Sequence, residues 1–141
     1  SSDLKEVKAG GVKFLLVHGS PRKNNEDILP DTPLSEVEKM LENVDADVVL
    51  CGHTHIPCGF QTESRKTVVN AGSIGRTFFV EPNSYPKACY LIIEVDNGSC
   101  VFQHQFVEYD KEQASEKLAA REFEGADKLA GMLINPEIRH F

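Results

Sequence analysis

The chain has 141 residues, 40% of them hydrophobic and 26% charged, and carries a formal net charge of -7 at pH 7. That length supports one ordinary domain with a real core, and the acidic balance, without any Lys/Arg-rich block, argues against a nucleic-acid phosphate footprint or binding to an anionic membrane surface. No apolar run approaches the roughly 18 to 20 residues of a membrane-spanning helix.

Ser1-Ser2-Asp3-Leu4-Lys5-Glu6 is neither a basic leader nor a secretion signal. It lacks an initiating Met, as expected of a chain that is processed, tagged or cut from something longer. The next residues stay polar up to Gly10-Gly11, which reads as a turn. Val12 to Val17 is a near-continuous apolar run, expected to be a strand covered on both faces. It stops at His18-Gly19-Ser20-Pro21. Arg22 to Pro30 reads as an irregular polar loop. Asp31-Thr32-Pro33 then starts a helix, with Thr32 as N-cap and Pro33 at the first helical position. Leu34, Val37, Leu41 and Val44 fall at helical spacing and give it one buried stripe.

Val48-Val49-Leu50-Cys51 reads as a second buried strand and runs into Gly52-His53-Thr54-His55-Ile56-Pro57, with Gly52 permitting a tight turn. Strand, loop, helix and strand make a βαβ unit in which both strands present histidine at their C-terminal ends. Parallel neighbours would open both histidine groups at one sheet edge, where open α/β folds place ligands. Further on, Gly59–Thr62 and Thr67–Val69 read as strands joined by a turn at Glu63–Lys66. A loop of small residues, Asn70-Ala71-Gly72-Ser73-Ile74-Gly75, follows. Phe78-Phe79-Val80 precedes a break at Glu81–Pro86. Ala88–Val95 and Cys100–Tyr109 read as a hairpin around Asp96-Asn97-Gly98-Ser99. From Asp110, a capping residue, the pattern turns helical; Gly125 breaks it, and residues 126–133 make a second short helix.

Neutral imidazole is a good ligand for borderline divalent metals, so His53, His55 and His18 are the candidate metal ligands. Side chains at i and i+2 of a bent turn could serve two ions about 3.5 to 4 Å apart. His104, inside a late strand, and His140, in the terminal tail, read as structural or exposed. Cys51, His53, His55 and Cys58 are too crowded for a structural zinc knuckle, whose ligands come as two separated pairs. Cys51 and Cys89 read as small buried hydrophobes. None of the four cysteines suggests a secreted disulfide framework, so the thiols are expected to be reduced and the protein cytoplasmic. The Asn70–Ser73 amides, with Arg76 close by, could cradle an oxyanion or simply turn the chain.

With those residues placed, the sequence resembles the calcineurin-like metallophosphoesterase family, most closely its small prokaryotic phosphodiesterase-like branch. The resemblance rests on Leu15-Leu16-Val17-His18-Gly19-Ser20-Pro21, on Val48 to Pro57 with its Gly-His-Thr-His core, and on Val69 to Gly75, where Ala71 replaces a frequent proline. It implies the C-terminal part of a two-sheet α/β/β/α sandwich. Residues 1–109 would be the C-terminal half of the domain, and residues 110–141 a helical tail packed on it or on a partner subunit. By position, His18 and His53 would ligate the second metal of a binuclear centre and His55 the first. The ions would be two divalent cations, of manganese, iron, nickel, zinc or magnesium. Asn70, Gly72, Ser73 and Arg76 would lie at the substrate-side opening, and the substrate would be a phosphate mono- or diester.

The family's opening motifs, which supply an Asp and His, a bridging Asp and an Asn-His pair that includes the catalytic acid, have no counterpart before His18. No residue here is therefore assigned as catalytic. Asp27, Asp31 and Asp47 sit in none of the expected places. The chain is expected to be completed by an N-terminal half, in cis or as a separate chain, and to be poorly soluble and inactive alone because one sheet edge would be bare. The alternatives are a shortened, inactive binding or scaffold module, and a chain that binds one metal in an unrelated way. Homo-oligomerisation stays open.

Overall fold

The computed structural model describes residues 4–78 and 87–136. His140 and the expected break at Glu81–Pro86 lie outside the described residues. A five-stranded sheet is formed by β1 (Lys5–Ala9), β2 (Val12–Leu16), β3 (Val48–Cys51), β5 (Thr67–Asn70) and β4 (Cys58–Gln61), in that order across the sheet. The three central strands, β2, β3 and β5, run parallel, and β1 and β4 flank them antiparallel. A second sheet is the hairpin of β6 (Ala88–Asp96) and β7 (Ser99–Val107). Helix α1 (Leu34–Met40) makes the crossover from β2 to β3, and α2 (Lys111–Ala119) and α3 (Ala126–Ile134) close the chain.

The sheet is apolar on both faces because each is covered. Leu15, Val17, Val49, Cys51 and Val68 pack with Ile28, Val37, Met40 and Leu41 on the helix side. Val12, Phe14 and Val48 face the other way, toward Ile93, Val95, Cys100 and Phe102 of the hairpin. The expected βαβ unit and two-sheet α/β architecture are thus present. The β1–β2 and β6–β7 hairpins turn on two residues with positive φ, Gly10-Gly11 (52° and 81°) and Asn97-Gly98 (45° and 81°), as two-residue turns between twisted strands require.

Several elements differ from their sequence signals. Lys5–Ala9 is a strand, although it reads as polar chain. All five of its residues are exposed, so it carries no apolar alternation to announce it. Its lysines blunt one outer edge of the sheet, and β4 is the edge strand on the other side. In the second sheet β6 and β7 each have one partner strand among the described residues. Beside β6, Leu16, Leu50, Leu91 and Ile93 line a groove of about 450 Å³. The helix begins at Leu34 with Pro33 as its cap, because Pro33 has an extended ψ of 135°. The Thr32 hydroxyl accepts from the Leu29 amide instead of capping. Leu34 is exposed, and Met40 joins Val37 and Leu41 in the buried stripe.

Asp110 caps α2 as expected, its carboxylate accepting from the Gln113 amide. The two last helices pack on each other, with Ser115 donating to the Ala130 carbonyl. Among the described residues no helix is long and apolar enough to cross a membrane.

The corrected stripe has a direct consequence. Val37→Ala, at a fully buried position, should lower unfolding free energy by about 2 kcal/mol, whereas Leu34→Ala should cost under about 0.5 kcal/mol. Urea titrations of both variants measure the contrast, and equal losses would contradict the assignment.

Candidate functional site

The parallel ladder continues beyond the strand ends. Val17 donates to the Leu50 carbonyl, Gly52 to the His18 carbonyl and Ala71 to the Cys51 carbonyl, at 2.9, 2.9 and 3.1 Å. His18, the 52–55 turn and the 70–72 loop are therefore held side by side at the C-terminal edge of β2, β3 and β5. There His18 Nε2 lies 3.1 Å from His53 Nδ1, with the rings edge to face at 5.0 Å. On its other nitrogen His53 meets Asp27, Nε2 to Oδ1 at 3.3 Å. His55 stands on the far side of Thr54 with its ring 5.9 Å from that of Phe78, and the Arg76 guanidinium lies 5.4 Å above the same Phe78 ring.

Gly52 does not provide the tight turn. It has no positive φ, and a Cβ there would meet the His18 carbonyl at an ordinary 3.7 Å. The turn instead bends at the histidines, each with φ of 61°, while the Thr54 amide closes onto the Gly52 carbonyl at 2.7 Å. Left-handed backbone costs a non-glycine residue on the order of 1 kcal/mol or more, so something must hold it. Asn70 does. Its side chain, fully buried, donates to the Gly52 carbonyl at 2.6 Å and to Thr54 Oγ1 at 2.9 Å, and accepts from the Gly72 amide at 2.9 Å. Three such bonds, at about 1 kcal/mol each net, are of the same order as the strain.

This changes the expected role of the 70–76 loop. Asn70 does not face a substrate opening; it lies beneath the histidine turn. The amides of Ala71 and Gly72 are occupied by the Cys51 carbonyl and Asn70 Oδ1, so they form no anion nest. Gly72 (φ 79°) is required because a Cβ would fall 2.8 Å from the Cys89 sulfur. Ser73 accepts from the Cys89 amide through its carbonyl and from the Arg76 amide through its hydroxyl. Arg76 alone of the four is exposed. His104 is structural, its Nε2 2.7 Å from the Asn70 carbonyl oxygen, tying the second sheet to the first.

The loop between β2 and α1 carries the residue that sequence reasoning set aside. Arg22 grips Glu26 through both carboxylate oxygens at 2.8 and 2.9 Å, and Ser20 donates to the same carboxylate. These bonds, the Arg22 one foremost, hold the Glu26 carboxyl below its usual range against the opposing effect of burial. Glu26 thereby fixes its neighbour Asp27 beside His53. No periodicity marks Asp27; only closure of the loop could reveal it. Burial pushes the Cys51 thiol up to about 12 and that of Cys58 to about 11, so both stay protonated thiols in the metal-free protein near neutral pH.

Whether these residues suit a metal is decided by their donors. Two nitrogens on one ion at bond lengths of about 2.0–2.1 Å stand roughly 3 Å apart, which the His18–His53 pair matches. Among the described residues, however, no group of three His, Cys, Asp or Glu side chains converges to hold an ion. The residues fit two positions of a coordination shell and do not complete one.

A family model described as the calcineurin-like phosphoesterase superfamily domain matches residues 2–98. A hypothetical protein from Pyrococcus horikoshii OT3 has a similar solved structure, with TM-score 0.71 and 26% identity over 90% of this chain and 49% of its own. A metallophosphoesterase from Sphaerobacter thermophilus superposes with TM-score 0.63 at 19% identity, covering 92% of this chain and 57% of its own. For a predicted phosphoesterase from Streptococcus pneumoniae TIGR4 the values are 0.52, 19%, 74% and 53%. The chain thus spans about half the length of these structures. No curated protein matches it.

Two predictions come from the loop. A Cβ on Gly19 would lie 2.5 Å from the Asn24 carbonyl oxygen, so Gly19→Ala should cost about 1–3 kcal/mol by forcing the backbone apart, and Gly52→Ala under about 1 kcal/mol; urea denaturation tests both. Because the folded Glu26 carboxyl is held low, its contribution is complete above the unfolded carboxylate range and is lost as pH falls through the folded value. Glu26→Gln should therefore flatten the fall in melting temperature below about pH 4.5; an unchanged acid limb would refute this.

Proposed function

Because the chain belongs to the calcineurin-like phosphoesterase superfamily, we propose that it forms the histidine wall of a metal-dependent phosphoesterase that hydrolyses a phosphate mono- or diester. The observation that supports this reading most is the 3.1 Å approach of His18 Nε2 to His53 Nδ1. His18 and His53 would hold one divalent cation and His55 a second. When bound, such ions polarise phosphoryl oxygens and make water a nucleophile near neutral pH.

The chain's own residues supply position. The ladder between β2 and β3 sets His18 against His53, and Asp27 on Nε2 orients the His53 ring so that Nδ1 presents its lone pair. Arg76, exposed beside the Phe78 ring that His55 approaches, would pair with phosphate oxygens. Three imidazoles carry no negative charge when neutral. We therefore assign the remaining oxygen ligands, and the catalytic acid, to polypeptide outside residues 1–141, in cis or on a separate chain. The greater length of the solved relatives supports this.

A second reading, an inactive binding module, is favoured by the lack of three converging metal donors among the described residues. Turnover of bis(p-nitrophenyl) phosphate with added Mn²⁺, measured on the complete assembly, separates the two. Under the enzyme reading His53→Ala should lose at least ~100-fold, since even partners of metal ligands are worth 10–100-fold, and His104→Gln should retain most activity. Unchanged turnover in His53→Ala would remove the proposed site, and an intact assembly inert with every divalent ion would favour the binding module.

A further inference from the structure

We propose that Asn70 is the positioning residue of the histidine turn: one buried primary amide sets the backbone at Gly52 and Thr54, and through it the aim of the His53 and His55 rings. Asn70 is itself immobilised. As the last residue of β5 it pairs with Cys51 on one side and Cys58 on the other, and its carbonyl is engaged by His104 Nε2 at 2.7 Å. Its side chain then reaches three segments. Nδ2 serves the Gly52 carbonyl, which also takes the Thr54 amide, and Thr54 Oγ1; Oδ1 takes the Gly72 amide. Thr54 Oγ1 in turn points at the Ile28 carbonyl, 3.5 Å away, next to Asp27 on His53.

The amide orientation follows from these partners. Reversed, Oδ1 would face the Gly52 carbonyl and Nδ2 the Gly72 amide. Only a side chain with two donors on one arm and an acceptor on the other satisfies the site. An aspartate of the same shape keeps the bond from Gly72 and turns an acceptor toward the Gly52 carbonyl, so Asn70→Asp isolates positioning from volume. Without the donors, the Gly52 carbonyl and Thr54 Oγ1 lose their Asn70 partner, and the backbone that carries His53 and His55 in the left-handed region is expected to relax.

This inference rests on the reading of His53 and His55 as metal ligands only in its metal-binding arm. The test compares Asn70→Asp with Val68→Ala, a fully buried site on the same strand, at a temperature where all forms are folded. Backbone and imidazole NMR signals of His53 and His55 should shift in Asn70→Asp and stay in Val68→Ala. Calorimetric titration with Zn²⁺ should weaken at least ~10-fold in Asn70→Asp and remain within about twofold in Val68→Ala. Unmoved histidine signals in Asn70→Asp, or equal effects in both variants, would overturn the proposal. A parent that binds no Zn²⁺ would count against the metal reading while the NMR arm still decides on Asn70. Should Asn70→Asp not fold, Thr54→Val removes one of the three contacts at constant volume and is read by the same signals.

Discussion

Three backbone hydrogen bonds just past the ends of the parallel strands are what the site depends on. Those from Val17, Gly52 and Ala71 to the Leu50, His18 and Cys51 carbonyls carry the ladder one residue further than the strands themselves. Residues far apart in sequence, such as His18 and His53, meet because their backbones are still part of one sheet. The entropy of closing the intervening loop, which grows only as the logarithm of its length, is offset by the core beneath. Ile28, Val37, Met40 and Leu41 are all buried against Leu15, Val49 and Val68. The site itself supplies little of that energy, so it can carry strain.

The strain is local and its restraint is polar. Positive φ at His53 and His55 costs energy that an apolar environment cannot return. A buried amide returns it only if all its groups are matched. Asn70 meets that condition with two donors and an acceptor engaged. The same residue binds the second sheet through His104. The histidine turn is thus tied to both sheets through one residue, the Asn70 side chain bonding the turn and its main-chain carbonyl meeting His104.

Most strands were legible because their residues are apolar on both faces or alternate cleanly, and the β6–β7 hairpin because Asn-Gly announces positive φ. Lys5–Ala9 was not, since an exposed edge strand needs no apolar residue. Thr32 looked like a cap, but proline at 33 leaves its own ψ extended and delays the helix by a residue. The glycine of the His-x-His segment drew attention away from the histidines, which bend the backbone themselves. Asn70 looked like a loop residue near an opening, whereas its pairing on both sides, invisible in sequence, turns it inward. Asp27 needed the Arg22–Glu26 clasp to place it, and local patterns say nothing about where such a loop folds back.

The charge on the site limits what this wall can do by itself. Two divalent cations about 4 Å apart repel by about 17 kcal/mol at an effective dielectric of 20. Three neutral imidazoles offer lone pairs and no compensating charge, and Asp27, exposed and turned toward His53, contributes one negative charge at the periphery. A binuclear centre here would therefore need carboxylates beyond those that the described residues bring to the histidines. A single cation asks for less, because the His18–His53 pair already offers two nitrogens at the right separation and water can complete the shell. Under the proposed reading, occupancy by one ion should depend on the His18–His53 geometry set by the β2–β3 ladder, and occupancy by two on acidic groups that these histidines do not supply.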